Sequence, residues 1–369
     1  MLTNFMPVKT YFGENCLKEK GVEIANFGKH AFLVTGKSSA KKSGVLDDLL
    51  PLLEKLNIKY TLFDKIMENP TLVAVHEGAK LLNKANCDFI IGIGGGSPID
   101  AAKTINVIAA NNLIGREFYE AKKVEKAFPL VAIPTTSGTG TEVTPFSVIT
   151  DEELQKKAGY GNPINFPNIS FLDPKYTVSL PARITRDTAI DALSHLLEGL
   201  YSAKRNLINY PILFRGVKLI LQNLNPCLND PENLEYRKNL MLASMYGGIV
   251  IAQTSTTIQH SIGYPLTTAF GLSHGLANGI AMKPVMKMFY PHLNKILDEL
   301  FDYIEITRHE FFEWLDEFGM KPQIELTDEF IAEKAREVSQ SRNMAINPIE
   351  IDMQGVINLY NEIRNSISV

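Results

Sequence analysis

Phe89-Ile90-Ile91-Gly92-Ile93-Gly94-Gly95-Gly96-Ser97-Pro98-Ile99-Asp100-Ala101-Ala102-Lys103 is the stretch on which the architecture turns. Its first five residues read as a strand buried on both faces, because an unbroken apolar run leaves no polar face for water. Three glycines follow, then Ser97, which suits a helix N-cap, and Pro98, which suits the first helical position. Free backbone N–H groups and the positive end of a helix dipole meet at such a turn, and glycine lets a phosphate approach closely. The turn therefore reads as a pyrophosphate cradle formed by Gly94, Gly95, Gly96 and Ser97. The alternative is an ordinary tight strand-to-helix turn, since the spacing is not the G-x-G-x-x-G fingerprint.

The same alternation extends both ways. Upstream, 6–12 has strand composition, 31–35 reads as a buried strand, and 60–63 as a short one. Helical apolar spacing lies between them at 46–56 and 71–85. Downstream, Leu130-Val131-Ala132-Ile133-Pro134 is another strand, followed by Thr135-Thr136-Ser137-Gly138-Thr139-Gly140-Thr141-Glu142-Val143-Thr144. So many hydroxyls and two glycines suggest a second ligand-facing loop, although capped turns look the same. This strand–helix rhythm predicts an α/β domain with a mostly parallel sheet covered by helices. Prolines are dense from 160 to 181, and beyond them helical spacing dominates, over 185–202, 207–224, 233–253, 275–289, 308–318 and 327–338. The expected division is 1–181 for the α/β part and 182–369 for an all-helical part.

In the helical half, Asp191 and His195 stand four apart, so on a helix they share one face and can reach one point. His260 and His274 follow, which makes three of the chain's seven histidines in one region. One carboxylate and three imidazoles could hold a borderline divalent ion such as Fe²⁺ or Zn²⁺. An isolated Asp-x3-His is otherwise a surface ion pair, and the other two histidines lack zinc-finger spacing.

At 369 residues the chain has room for about two domains. Apolar residues make up 45% and charged residues 21%, as in soluble globular proteins. A net charge of −4 without a basic run argues against nucleic acid or an anionic membrane as partner. No apolar run is long enough for a membrane helix, and Met1-Leu2-Thr3-Asn4-Phe5-Met6-Pro7 lacks the features of a signal peptide, so a cytoplasmic location is expected. Cys16, Cys87 and Cys227 are widely spaced and read as reduced, buried residues, which leaves metal chemistry to histidine and carboxylate.

Taken together in this order, the 94–103 and 134–144 stretches, Asp191-Ala192-Leu193-Ser194-His195, His260 and His274-Gly275 resemble the iron-containing (group III) alcohol dehydrogenases. The resemblance covers nearly the whole chain. It implies a dehydroquinate synthase-like pair of domains, with cofactor and metal in the cleft between them and a homodimer as the assembly. It also implies metal ligands at Asp191, His195, His260 and His274, a pyrophosphate site at residues 94–97, and cofactor contacts from Asp100, Thr135, Thr136, Thr139 and Lys157. The implied activity is reversible hydride transfer between a nicotinamide and a small primary alcohol or aldehyde. Two positions depart from the family pattern. Tyr264 stands where many members have a histidine implicated in proton relay, and Ala189 replaces a usual glycine. A phenol, with its reference pKa near 10, is a poorer base unless the metal site lowers it.

Cofactor choice is argued from charge. NAD-preferring relatives carry an acidic residue just after the second strand, where it holds the ribose 2′-hydroxyl. Here that turn is Thr35-Gly36-Lys37-Ser38-Ser39-Ala40-Lys41-Lys42, without a carboxylate, so Gly36, Lys37, Ser38 and Ser39 are expected to favour NADP(H) over NAD(H). Three rivals are a dehydroquinate synthase-type lyase, a glycerol dehydrogenase-like polyol oxidoreductase, and a non-catalytic nucleotide- or metal-binding protein on the same scaffold. A lyase would cluster Lys and Arg near the metal, whereas Leu193, Leu196, Ile262, Tyr264 and Leu266 suggest a weakly charged alcohol.

Overall fold

The computed structural model describes residues 3–154 and 156–367, so Met1 and Leu2 of the N-terminal stretch read above lie outside it. Eight strands run β1 Lys9–Phe12, β2 His30–Gly36, β3 Lys59–Ile66, β4 Phe89–Gly94, β5 Leu130–Pro134, β6 Phe146–Asp151, β7 Lys156–Gly161 and β8 Ile169–Leu172. The helices of the first half are α1 Cys16–Lys20, α2 Ser39–Lys42, α3 Val45–Lys55, α4 Leu72–Ala85 and α5 Gly96–Asn111. Those of the second are α6 Ala182–Tyr201, α7 Tyr210–Asn229, α8 Leu234–Thr254, α9 Ile258–Phe270, α10 His274–Ile304, α11 Arg308–Asp316, α12 Asp328–Ser339 and α13 Met353–Ile367.

Six strands form one sheet in the order β1-β8-β5-β4-β2-β3, and every pairing in it is parallel. The period of two along each strand divides its side chains between two cores. Phe32, Val34 and Ile90 enter one with Phe63 and Ile105, while Ala31, Leu33, Phe89, Ile91 and Ile93 enter the other with Val131 and Ile133. Both faces are covered, which is why the strands read as apolar runs rather than alternating ones. The chain leaves β2 for β3 at the sheet edge and returns past β2 to β4. Strand order therefore reverses between β2 and β4, and ligands of open α/β sheets sit at the carboxyl ends of such strands. The Gly36 turn, the 94–97 turn and the start of the 135–144 loop all lie at that end.

In the helical half, α6 is the central element, packed by α7, α8 and α10. Every residue from Ala189 to Tyr201 is buried. Each buried leucine in that run contributes about 1.5–3 kcal/mol. Buried carboxylates and imidazoles contribute nothing of the kind and must be matched by specific partners. Asp191, His195 and Glu198 are such groups, so the core of this half is built around a polar site. Among the described residues no helix is long and apolar enough to cross a membrane.

The elements depart from the sequence reading in several places, the short α1 and α2 among them. β6 and β7 form an antiparallel hairpin, and β8 sits among the prolines; none of these is anticipated. α10 passes Pro284 and Pro291 and runs to Ile304, absorbing the interruption at Leu293, whose φ of −125° is non-helical. α9 and α13 are also absent from the expected helices. Lastly, α5 begins at Gly96 with Gly95 as its cap, so Ser97 lies in the first turn; its hydroxyl accepts from the Asn69 N–H instead of capping.

Candidate active site

The glycine turn lies at the end of β4. Gly94 has φ +141°, a conformation that only glycine adopts at little cost. A Cβ on Gly95 would lie 3.2 Å from Thr136 Cγ2, and one on Gly96 would lie 2.6 Å from Thr139 Cγ2. Thr136 and Thr139 thus wall the turn, while Thr135 is buried and its N–H extends the ladder to the Gly94 carbonyl at 2.8 Å. The 135–144 loop is fastened from below by α5. The buried Lys103 ammonium donates to the carbonyls of Thr141, Thr144 and Phe146 at 2.7, 2.9 and 2.8 Å. Burial pushes that ammonium down to about 8, against the opposing pull of Asp100 and Glu142.

Asp100 behaves differently from the expected cofactor contact. Its two carboxylate oxygens accept from Thr141 Oγ1 at 2.6 Å and from the Val148 N–H at 2.9 Å. It therefore ties the loop and the β6–β7 hairpin to α5. At the end of β2, Lys37, Ser38 and Ser39 are exposed and Gly36 is half-buried.

Replacing Gly96 with alanine is expected to weaken nucleotide affinity about tenfold or more, 1.4 kcal/mol. The added methyl meets Thr139 and occupies the space over the helix N-terminus. Titration of NADPH fluorescence measures this, and unchanged affinity would remove the turn from cofactor binding.

The second half of the site comes from three helices. α6 presents Asp191 and His195 one turn apart, α9 carries His260 in its first turn, and α10 begins on His274. One donor atom from each of Asp191, His195 and His260 lies within 4.8 Å of the others. His260 Nε2 and His274 Nε2 are each 3.7 Å from Asp191 Oδ1. Donors sharing a cation at bonds of about 2.1 Å stand roughly 3.4 Å apart, so Asp191, His195 and His260 fit one ion with small adjustments; His274 lies outside that cluster and joins it through Asp191. The rings are close as well: His195 and His260 stack at 4.8 Å between centroids, and His260 and His274 meet edge to face at 5.1 Å.

Each imidazole is held in its own way. His195 Nδ1 lies 3.3 Å from the Gly138 carbonyl, which links this site to the 135–144 loop. His260 Nδ1 is bonded to Glu198. His274 Nδ1 has no hydrogen-bond partner among the described residues, and its side chain is 25% exposed against 2% for His260. Burial lowers the pKa of His195 and His274, the latter also under the influence of Lys157. For His260 burial also acts downward, but the Glu198 and Asp191 carboxylates outweigh it and the net shift is upward.

Tyr264 lies flat on His274, with ring centroids 5.5 Å apart and 5° between planes. Burial, followed by the Glu198, Asp191 and Asp100 charges, pushes its phenol well above the ordinary value. The β6–β7 hairpin delivers Lys157, whose Nζ donates to Asn69 Oδ1 at 2.9 Å and lies 5.8 Å from the centre of the Tyr264 ring. Burial lowers this ammonium, partly offset by Asp191, Asp100 and Glu68. Leu193, Leu196, Ile262 and Leu266 belong to the fully buried helical core, so the apolar surroundings expected from them do not face the substrate. Two polar residues here are not anticipated from sequence: Glu198, and Asn278, whose Nδ2 donates to Asp191 Oδ1 at 2.9 Å. Both are one turn from a ligand candidate, Glu198 three after His195 and Asn278 four after His274.

Comparison with known proteins shows the family. Residues 7–174 match the family profile of the iron-containing alcohol dehydrogenases, and residues 185–364 match that of the C-terminal part of the same family. The long-chain primary alcohol dehydrogenase of Thermoanaerobacter ethanolicus is 36% identical over 302 residues, covering 80% of this chain and 76% of that protein. The NAD-dependent methanol dehydrogenase of Bacillus methanolicus is 29% identical over 286 residues, covering 77% and 75%. A crystal structure of an iron-containing alcohol dehydrogenase from Thermotoga maritima superposes with a TM-score of 0.93 at 36% identity, over 99% of this chain and 100% of that one. On the profiles that span both halves and the identity to a relative covered over most of its length, the chain belongs to the iron-containing alcohol dehydrogenase family.

Proposed function

We propose that this chain is a metal-dependent, NAD(P)H-linked enzyme interconverting small primary alcohols and their aldehydes, with NADP(H) preferred. The observation that carries the reading is the cluster of Asp191, His195 and His260, with His274 Nε2 within 3.7 Å of Asp191 and His195 anchored to the loop that walls the glycine turn. Iron, or zinc in its place, suits a donor set of one carboxylate and three imidazoles. Such an ion, when bound, supplies a Lewis acid for the substrate oxygen.

The chain's own groups do the rest. Backbone amides of residues 94–97 and the N-terminus of α5 bind the pyrophosphate. Thr135, Thr136 and Thr139 shape the cleft beside it, and Lys157 adds a cation near Tyr264. The Tyr264 ring stacks on His274. His274, the most open of the four ligand candidates, marks the side from which substrate enters. A homodimer along the open edge of β1, a cytoplasmic location and a division into domains near residue 181 belong to the same reading. Light scattering giving a single chain mass would refute the dimer.

The NADP(H) preference is supported by the exposed Lys37, Ser38 and Ser39 and by the lack of a carboxylate in 35–42. Steady-state rates with NADPH and NADH over a graded aldehyde series, with glycerol beside butanol in the oxidative direction, test the whole proposal. Expected are a kcat/KM at least tenfold higher with NADPH and faster turnover of butanol than glycerol. A strong NADH preference refutes the cofactor assignment, and faster glycerol oxidation favours the polyol reading. No turnover with any aldehyde despite tight nucleotide and metal binding would favour a non-catalytic protein.

A further inference from the structure

We propose that Glu198 is a positioning residue for the metal: its carboxylate sets the tautomer and tilt of His260 while capping the helix that carries it. This rests on the reading that Asp191, His195, His260 and His274 hold an ion. Glu198 follows His195 by three residues and Asp191 by seven, which puts all three on one face of α6. Its side chain has 0% exposure in a run that otherwise buries Leu193, Leu196, Leu197 and Leu200. A carboxylate in hydrocarbon persists only when its oxygens are matched by donors.

Both oxygens are matched. Oε1 accepts from the Thr257 N–H at 2.7 Å, from Thr257 Oγ1 at 2.8 Å and from the His260 N–H at 3.3 Å. Oε2 accepts from His260 Nδ1. Thr257 is the N-cap of α9, yet its own side chain does not cap it. A carboxylate reaching across from α6 satisfies those N–H groups instead and sits at the positive end of the α9 dipole. One side chain thus sets both the start of α9 and the ring of its histidine. With the proton on Nδ1 directed at Glu198, the lone pair of Nε2 faces Asp191 and the other ligand candidates.

The other two imidazoles lack this support. His195 leans on a neutral carbonyl, and His274 Nδ1 has no partner among the described residues. His260 is therefore the one imidazole of the three oriented by a charge, and partners of this kind raise ligand basicity and metal affinity.

Glu198→Gln separates the two tasks from simple space filling. A glutamine carbonyl that accepts from Thr257 turns its NH₂ toward His260 Nδ1, and the flipped amide turns it toward Thr257, so only one side is satisfied. Zn²⁺ affinity, read by chelator competition, is expected to fall about 10–100-fold, and the visible absorption of the Co²⁺-loaded protein to shift. Thr257→Val, which removes only the hydroxyl donor, should keep Zn²⁺ affinity within about twofold of the parent and leave the Co²⁺ spectrum unchanged. Parental affinity and spectrum in Glu198→Gln, or an equal loss in both variants, would overturn the proposal. Should Glu198→Gln not fold, ¹⁵N spectra of histidine-labelled parent protein decide: Nδ1 protonated on His260 upholds it, and Nε2 protonated overturns it. A parent that takes up no Zn²⁺ refutes the metal reading, while the same ¹⁵N spectrum still decides the tautomer.

Discussion

Replacing His274 with alanine is expected to remove bound metal and at least about a thousandfold of turnover, roughly 4 kcal/mol of transition-state stabilisation, while leaving the fold intact. The second half of that expectation comes from its surroundings. His274 is partly exposed, its Nδ1 bonds to nothing among the described residues, and its main loss is the stacking on Tyr264, worth about 0.5–1.5 kcal/mol. His260→Ala should also abolish metal binding, but it would leave Oε2 of the buried Glu198 carboxylate without a donor, while Oε1 keeps its own, and so lower stability by about 1–3 kcal/mol. Metal content by elemental analysis, turnover, and thermal unfolding of the two variants separate these outcomes. Retained activity in a metal-free His274→Ala protein would remove the Lewis-acid role.

Gly275→Ala is expected to cost about 3 kcal/mol or more and to disable the metal site without altering any ligand. The glycine follows His274 in the first turn of α10, and a Cβ there would lie 1.7 Å from the backbone oxygen of Asp187 on α6. Main chain meets main chain at this crossing, so no side chain can move aside. The added methyl must push α10 away from α6, and with it His274 from Asp191, which are now 3.7 Å apart. The melting temperature should fall by about 4 °C or more, with metal affinity lost in the same variant. A Gly275→Ala protein with parental melting temperature and metal content would contradict the close crossing.

How much of this was legible from sequence differs between elements for physical reasons. β4 and β5 stand out because a parallel strand covered on both faces is an apolar run, and β5 begins and ends where that run does. The β6–β7 hairpin does not, since Lys157, Gly159 and Gly161 carry little strand preference and the pairing is held by partners distant in sequence, notably Asp100 to Val148. α10 exceeds its expected end because tertiary packing outweighs the two prolines inside it, with the cost concentrated at Leu293. α13 shows apolar spacing at Val356, Leu359, Tyr360 and Ile363 and was open to the same periodicity argument.

In the site, helical spacing alone puts Asp191 and His195 on one face, whereas His260 and His274 lie on separate helices whose meeting no local pattern encodes. Glu198 and Asn278 sit one turn from ligand candidates, but a carboxylate and an amide at helical spacing are usually solvated. Burial is what identifies them, and burial is a property of the packed helices. Lys157 reaches Asn69 and the Tyr264 ring from the β6–β7 hairpin, which the sequence reading does not contain.

The most direct test of the account is an anomalous difference map from crystals loaded with iron or zinc and collected at the metal edge. A single peak about 2.1 Å from donor atoms of Asp191, His195, His260 and His274 is the expected result. A peak elsewhere, or none from protein that is active, would contradict it.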